Sequence, residues 1–428
     1  MRLGTTLVWI VLTCAACTPA HAVPASSPPD HAASASATVP SIRSPQALQR
    51  YLKTTPPDAS PLRAFSPGAR QRFLASLKFG ARGLGGFSMD DLDHELTHAQ
   101  AVRVLALFGA QDYADGVGVS VQRRARIERE WRTEARKRGC SVQTCPESAV
   151  ERRYDELLRT HADNGHSDAE RSARFRQRYA RLFDRYQHAS TLRTVSDPDL
   201  RLLKRAAEHV LFYAPVEPYL TQLRMDLSEM RHRGMTEDRD FTPLYQGYVA
   251  GRQFDAATRL RERHPGMDVA PLPAWRTHAP LKKDRPTAIA LSADGRSMTR
   301  TAFDLDAPLR IVVVASCHFS QDVARAVAAD ARLRPIFQRH AIWLASQQDT
   351  IADAQRWNRM FPDQPIHIAW NNREWAMLDN WAMPTFYVFR HGRLVDQWAG
   401  ADMPALRAHL RKDGVLSASL KSAPASRP

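Results

Sequence analysis

The sequence predicts a two-part chain: an irregular all-α N-terminal domain over 44–264, then an α/β domain with a mixed sheet over 287–415. Three observations carry this. Up to about position 264, apolar residues recur at the three- and four-residue spacings of amphipathic helices. Residues 265–286 are rich in Pro and basic side chains and read as an interdomain linker. Beyond them, short β-branched runs alternate with helical stretches, which is the order of an α/β domain. The length of 428 residues allows two or three domains. Hydrophobic residues are 43% and charged residues 25%, which excludes a wholly disordered chain, a collagen-like one and a disulfide-dense miniprotein.

The chain opens with the pattern of an export signal over 1–22. Met1-Arg2 is a minimal positive start, 7–16 is apolar, and Ala20-His21-Ala22 is an A-x-A cleavage site. The apolar run is too short and too N-terminal for a spanning helix. Cleavage there removes Cys14 and Cys17 and starts the mature chain at Val23. The alternative is a lipoprotein anchored through Cys17; Cys14 stands where such signals carry Leu, but the Ala/Ser/Pro-rich linker 23–43 suits a tether. Both readings place the mature protein in the periplasm, an oxidising compartment, and only the second brings it to a membrane.

Helices are expected at 66–79, with Pro67 at its start, and from Ser88, with Leu92, Leu96, Ala99, Val102 and Leu105 on one face. Others follow at 121–138, 146–161, 168–189, 198–213 and 217–233. The last pair, 241–250 and 254–263, resembles one tetratricopeptide-like hairpin through Tyr245, Tyr248, Gly251, Phe254, Ala256, Ala257 and Pro265. No second copy occurs at a fixed period, so no repeat array is expected.

After the linker, 287–292 and 297–303 form a hairpin about Asp294-Gly295. Residues 310–315 read as a buried strand that runs straight into a helix from Cys317 to about Ala329. A strand at 341–345, a helix at 350–360 and a strand at 366–370 follow. A hairpin of 385–390 with 393–399 turns at His391-Gly392, a helix at 403–411 closes the domain, and 416–428 reads as a disordered tail.

Formal net charge is +15 from 60 basic and 45 acidic residues. Only 8 of the bases are lysine, and acids are interspersed among the arginines, which reads as solvated helix faces rather than a basic arm. With an export signal in front, nucleic acid is not the expected partner. Of the three cysteines left after cleavage, Cys140 and Cys145 flank a four-residue segment between helical patterns and read as a structural disulfide. Cys317 is left over, and an odd cysteine in an exported chain needs an account.

Residues 285–412 resemble a thioredoxin-like domain of the periplasmic thiol–disulfide oxidoreductase type. An apolar strand ending in Ser316-Cys317-His318-Phe319-Ser320, the segment Met383-Pro384-Thr385-Phe386-Tyr387, and the terminal hairpin plus helix carry the resemblance. It implies that Cys317 is the attacking cysteine and Pro384 the cis-proline beside it. Independently of the family, a thiol on the first turn of a helix faces unsatisfied N–H groups and the positive dipole end, which favour thiolate. A protonated His318 near the sulfur would act in the same direction, and Met383, Thr385 and Trp381 are candidates for the rim of a peptide groove. Trp381 is one of six tryptophans after the linker; the others, Trp343, Trp357, Trp370, Trp375 and Trp398, read mostly as core.

Two departures define what such a domain could do. The second cysteine of the family motif is Ser320, whose hydroxyl cannot displace a mixed disulfide. The strand 311–315 also lacks the buried acid that many relatives use for proton transfer. Monothiol chemistry remains: trapping a partner, isomerising its disulfides, or exchange with an external thiol such as glutathione. The expected partners are envelope proteins bearing cysteines or disulfides, and no cofactor is expected. The main alternative is a non-catalytic binding or scaffold protein with a degenerate thioredoxin fold. A third is a zinc metallopeptidase: His94-Glu95-Leu96-Thr97-His98 matches H-E-x-x-H, which on a helix puts two histidines one turn apart with a glutamate base. Its flanks, Asp91 and Gln100, are wrong for that family, and a third ligand would have to come from Asp112, Asp115, Glu128 or Glu130.

Overall fold

The computed structural model describes residues 42–81, 83–159, 168–276, 281 and 284–416. The segment read as an export signal, with Cys14 and Cys17, the stretch up to residue 41 read as a linker, and the residues from 417 read as a tail lie outside the described residues. The chain forms two compact units, Met1–Glu156 with Val195–Leu202 and Leu157–Thr194 with Leu203–Pro428. No helix of the described residues is long and apolar enough to cross a membrane.

A helical N-terminal region precedes the sheet. Its elements are α1 (Pro45–Thr54), α2 (Pro67–Ser76), β1 (Lys78–Gly80), β2 (Gly83–Gly86), α3 (Asp90–Glu95), α4 (His98–Ala106), α5 (Val121–Lys137) and α6 (Ala149–Leu158). Next come α7 (Asp168–Phe183), α8 (Ala189–Leu192), α9 (Asp197–Tyr213), α10 (Tyr219–His232), α11 (Thr242–Ala250) and α12 (Phe254–Arg263). The first unit packs Phe65, Phe73, Leu92, Leu96, Val104 and Phe108 into one core. The helix expected over 66–79 stops at Ser76, and the next residues pair as the β1–β2 hairpin.

The single helix expected from Ser88 to Leu105 is instead two. Leu96 adopts extended backbone, φ −97° and ψ 149°, and ends α3. Thr97 then starts α4 with a capping box: its side chain accepts from Gln100 N, and the Gln100 side chain accepts from Thr97 N. This break buries Leu92 and Leu96 in a different register, and Ala99, expected on the apolar face, is exposed. Helix α5 ends on Gly139 at φ +67°. The Cys140 amide reaches back to Ala135 O at 3.0 Å and Gly139 N to Arg136 O at 3.2 Å, a Schellman closure. That closure delivers Cys140 to Cys145, and the two form the expected disulfide with Cα atoms 5.2 Å apart.

The second unit carries β3 (Ala274–Trp275), β4 (Thr287–Leu291), β5 (Ser297–Ala302), β6 (Arg310–Val314), α13 (His318–Ala329), α14 (Leu333–His340), β7 (Ala341–Ala345), α15 (Ile351–Met360), β8 (Ile366–Ala369), β9 (Thr385–Arg390), β10 (Arg393–Ala399) and α16 (Met403–Lys412). The strands form one mixed eight-stranded sheet in the order β10-β9-β6-β7-β8-β4-β5-β3. Strands β6, β7 and β8 run parallel, and β9 runs antiparallel to β6. Ile311, Val312, Val313 and Val314 are all fully buried because β6 lies at the centre with both faces covered. One face packs Val312, Val314, Leu344 and Tyr387 against Trp375 and Leu378. On the other, Trp343 meets Phe337 and Trp357. Helix α14 and the two-residue strand β3 have no counterpart in the sequence reading.

The α11–α12 hairpin belongs to this unit and is tied to the sheet. Gly251 is required at its corner, where a Cβ would lie 2.8 Å from Pro215 O. Arg252, at φ +61°, follows and donates from Nε to Trp370 O at 2.9 Å and from Nη2 to Gln347 O at 3.4 Å. Gln347 Nε2 in turn donates to Ala250 O at 2.8 Å.

Candidate functional site

The register of the central strands builds the site. Val314 at the end of β6 pairs with Thr385 at the start of β9 on one side and with Leu344 of β7 on the other. The residues just beyond these pairs, 315–317 and 383–384, are therefore brought side by side although they lie far apart in sequence. Cys317 is the N-cap of α13, with φ −75° and ψ 169°. It stands at the position that Ser, Thr or Asp favours for accepting from the first-turn amides. No side-chain hydrogen bond closes this cap.

Cys317 is partly exposed and is the free cysteine among the described residues. Its Sγ lies 3.3 Å from Ser320 Oγ and 3.5 Å from the Met383 carbonyl oxygen, to which the thiol donates. Ser320 is fully buried. The Met383–Pro384 bond is cis, and Pro384 O accepts from Gly400 N at 2.9 Å. Tyr387 anchors the loop that leads to it: its hydroxyl donates to Asn380 O at 2.8 Å and accepts from Asn380 N at 2.9 Å. Cys317, Ser320, Met383 and Pro384 are thus gathered at one point.

The other candidates are placed differently. His318 is exposed and its ring lies tilted against Phe319, with centroids 3.9 Å apart. Thr385 is buried and its hydroxyl donates to Ala382 O at 2.6 Å, so its side chain is engaged within the protein. Trp381 is half-buried and packs on the core cluster of Trp375 and Tyr387. Met383 remains as the apolar side chain exposed beside the sulfur, at 37%.

The structure adds a residue that the sequence reading missed. Asp349, in the turn after β7, lies beside Ser316, the neighbour of Cys317. Its Oδ2 accepts from both Ser346 N and Ser346 Oγ at 2.8 Å. The residue retains some surface, but its carboxyl is enclosed; the lost hydration, with Asp353 adding to it, pushes the carboxyl above the usual carboxylate range. It lines a cavity of about 30 Å3 together with Ser316, Gln321, Asp353, Arg356 and Trp357. That is room for a water molecule. The only sequence signal was a Ser-Gln-Gln-Asp turn, which by itself reads as a loop.

The His94–His98 segment does not assemble a metal centre. Because the helix breaks at Leu96, the two histidines lie on different helices rather than one turn apart. Glu95 accepts from Ser66 N at 3.0 Å and Ser66 Oγ at 2.9 Å, and His94 Nδ1 lies 2.8 Å from Asp90 O. Of the improvised third ligands, Glu128 and Glu130 pair with Arg124 and Arg201. No group of three or more metal-ligating side chains occurs among the described residues. Comparisons with protein-family models, with curated proteins and with solved structures found no match for this chain.

Proposed function

We propose that the second unit is a thioredoxin-like domain that performs monothiol disulfide exchange, in an exported protein acting on envelope partners in the periplasm. The observation that carries this reading is the juxtaposition at Cys317. A partly exposed sulfur caps a helix, with the Met383–Pro384 backbone 3.5 Å away. The Cys317 thiolate attacks one sulfur of a partner disulfide, forms the Cys317–partner bond, and expels the second sulfur as a thiolate. Ser320 has no sulfur with which to resolve this intermediate, and Cys140 and Cys145 are bonded to each other. Resolution therefore falls to a thiol of the partner, which isomerises it, or to an external thiol such as glutathione. Either returns Cys317 to its thiolate with no net change in oxidation. The exposed Met383 offers apolar contact to an extended partner segment.

The test is mixed-disulfide trapping. The full mature chain is incubated with a peptide that contains one disulfide, and the adduct is mapped by peptide mass spectrometry. The expected result is an adduct on Cys317 that glutathione releases and that Cys317→Ser abolishes without loss of fold. Formation no faster than on the denatured chain would contradict the reading and favour a binding module with a vestigial cysteine.

A further inference from the structure

Strand β9 and the segment before it are tied together residue by residue. Tyr387 is fully buried and pairs with Val312, and its ring lies in the core face with Val312, Val314 and Leu344. Its hydroxyl extends past the ring to the segment 379–383. There it accepts from Asn380 N at 2.9 Å, and its one proton lies between Asn380 O at 2.8 Å and Asp379 Oδ1 at 3.0 Å. Gln397 of β10 donates to Asp379 Oδ2 at 3.3 Å. Asn380 Oδ1 accepts from Ala382 N at 2.9 Å, and Thr385 Oγ1 donates to Ala382 O at 2.6 Å. At the far end Ser316 Oγ donates to Met383 Sδ at 3.0 Å, and the Met383 carbonyl receives the Cys317 thiol at 3.5 Å. The segment is thus a fixed ledge that starts at a buried phenol and ends at the sulfur.

We propose that Tyr387 is a positioning residue for partner selection at Cys317, acting through Asn380 on Met383, and that the selected partner carries an apolar residue beside its disulfide. The end of the ledge gives the partner class. Met383 is apolar and 37% exposed, and its thioether is steered by the Ser316 hydroxyl. An unbranched methionine on a loose loop would lose several rotamers on binding. On a ledge held at both ends that freedom is gone before the partner arrives. An apolar residue beside the attacked sulfur then gains contact with Met383, and a polar one gains nothing from the thioether. The phenol hydrogen-bonds Asp379 and Asn380, so it acts on the Cys317 site through the ledge. The inference rests on reading the Cys317–Met383 cleft as the partner groove, so one arm of its test is independent of exchange chemistry.

Two peptides of equal length, each with one disulfide, carry either leucine or serine beside the cysteines. Adduct formation on Cys317 of the full chain is timed for both, and iodoacetamide alkylation of Cys317 is timed in parallel. The expected result is a preference for the leucine peptide of roughly fourfold, the value of one methylene taken from water. Tyr387→Phe keeps the ring in the core and removes the hydroxyl. The preference should fall to about twofold or less, because Met383 is no longer held in place. The alkylation rate should not change, because so small a reagent does not use the ledge. Met383→Ala should also remove the preference, and the double variant should lose nothing further. A wild type with no preference overturns the proposal, as does a Tyr387→Phe chain that keeps it. So does a variant that slows alkylation as much as peptide capture, which would show a general loosening of the site.

The second arm labels the chain with 13C-methyl methionine and assigns Met383 with Met383→Leu. In Tyr387→Phe the Met383 signal should shift and narrow while the other methionine signals stay in place. An unmoved Met383 signal overturns the ledge. No adduct with either peptide, together with that shift, would reject the exchange reading and leave the hold of Tyr387 on Met383 standing.

Discussion

In the first unit, the buried Asp91 and Glu95 and the half-buried Asp90 each close on donors of the same unit. Asp91 takes the Arg72 guanidinium, with Nε at 3.1 Å, Glu95 takes Ser66, and Asp90 takes the Tyr154 hydroxyl at 2.6 Å. Around Cys317 the polar groups are placed otherwise. The sulfur is partly exposed, a small cavity opens beside its neighbour Ser316, and Asp349 is held by Ser346, with no guanidinium on it among the described residues. Saturated polar pairs fix a fold; a partly exposed thiol near an enclosed carboxyl leaves chemistry open. The contrast explains why two motifs of similar promise in the sequence have different fates.

The largest expected effect breaks the first half of this contrast. Arg72→Ala strips the guanidinium from Asp91, Glu151 and Asp155. It should cost about 3–5 kcal/mol in urea unfolding, because the buried Asp91 is left uncompensated. A loss under about 1 kcal/mol would show that the network is dispensable, as surface pairs are. Trapping at Cys317 in the protein that remains folded should be unchanged.

Ser320→Cys sharpens the second half. It puts a second sulfur where an oxygen now lies 3.3 Å from Sγ. Thiol titration after mild oxidation should show both thiols lost together, and the Cys317–peptide adduct should become short-lived because an internal thiol now resolves it. A persistent adduct would mean that the first turn of α13 does not present the two positions to each other.

A smaller effect concerns Asp226, the fully buried carboxyl of α10. Gln187 donates to its Oδ2 at 3.3 Å, and Oδ1 has no hydrogen-bond partner among the described residues. Burial raises this carboxyl well above the usual range, so the folded protein holds its proton more tightly than the unfolded chain. The stabilisation is complete below the unfolded value of about 3.9 and is lost as pH rises through the raised folded value. Urea titrations should show Asp226→Asn gaining on the wild type as pH rises; parallel curves would contradict the assignment.

How much of this was legible depended on the distance over which each feature is encoded. The strand 310–314 and the helix start at Cys317 are local patterns and fall where the sequence puts them. The break at Leu96 was also written locally, in Thr97-x-x-Gln100, a helix-start signal that the H-E-x-x-H spacing overrode. The contact of Met383 with Cys317 spans 66 residues and was accessible only through a family resemblance. Asp349 was not legible, because its meaning comes from the parallel β6–β7 register that sets its turn beside Ser316. An acid was sought on strand 311–315, whereas the buried carboxyl behind the site comes from the neighbouring strand's exit.

The most direct test of the central claim compares the alkylation rate of Cys317 by iodoacetamide at pH 6 in the native protein spanning residues 23–428 and in the same protein unfolded in urea. Unfolding gives the sulfur full access, so access alone would make the unfolded chain faster. The account predicts that the native chain reacts faster, because the folded site presents the sulfur at the start of α13 with the Ser320 hydroxyl 3.3 Å away, placed to assist its attack. A native rate equal to or below the unfolded one would contradict it and leave Cys317 an ordinary thiol on a binding domain.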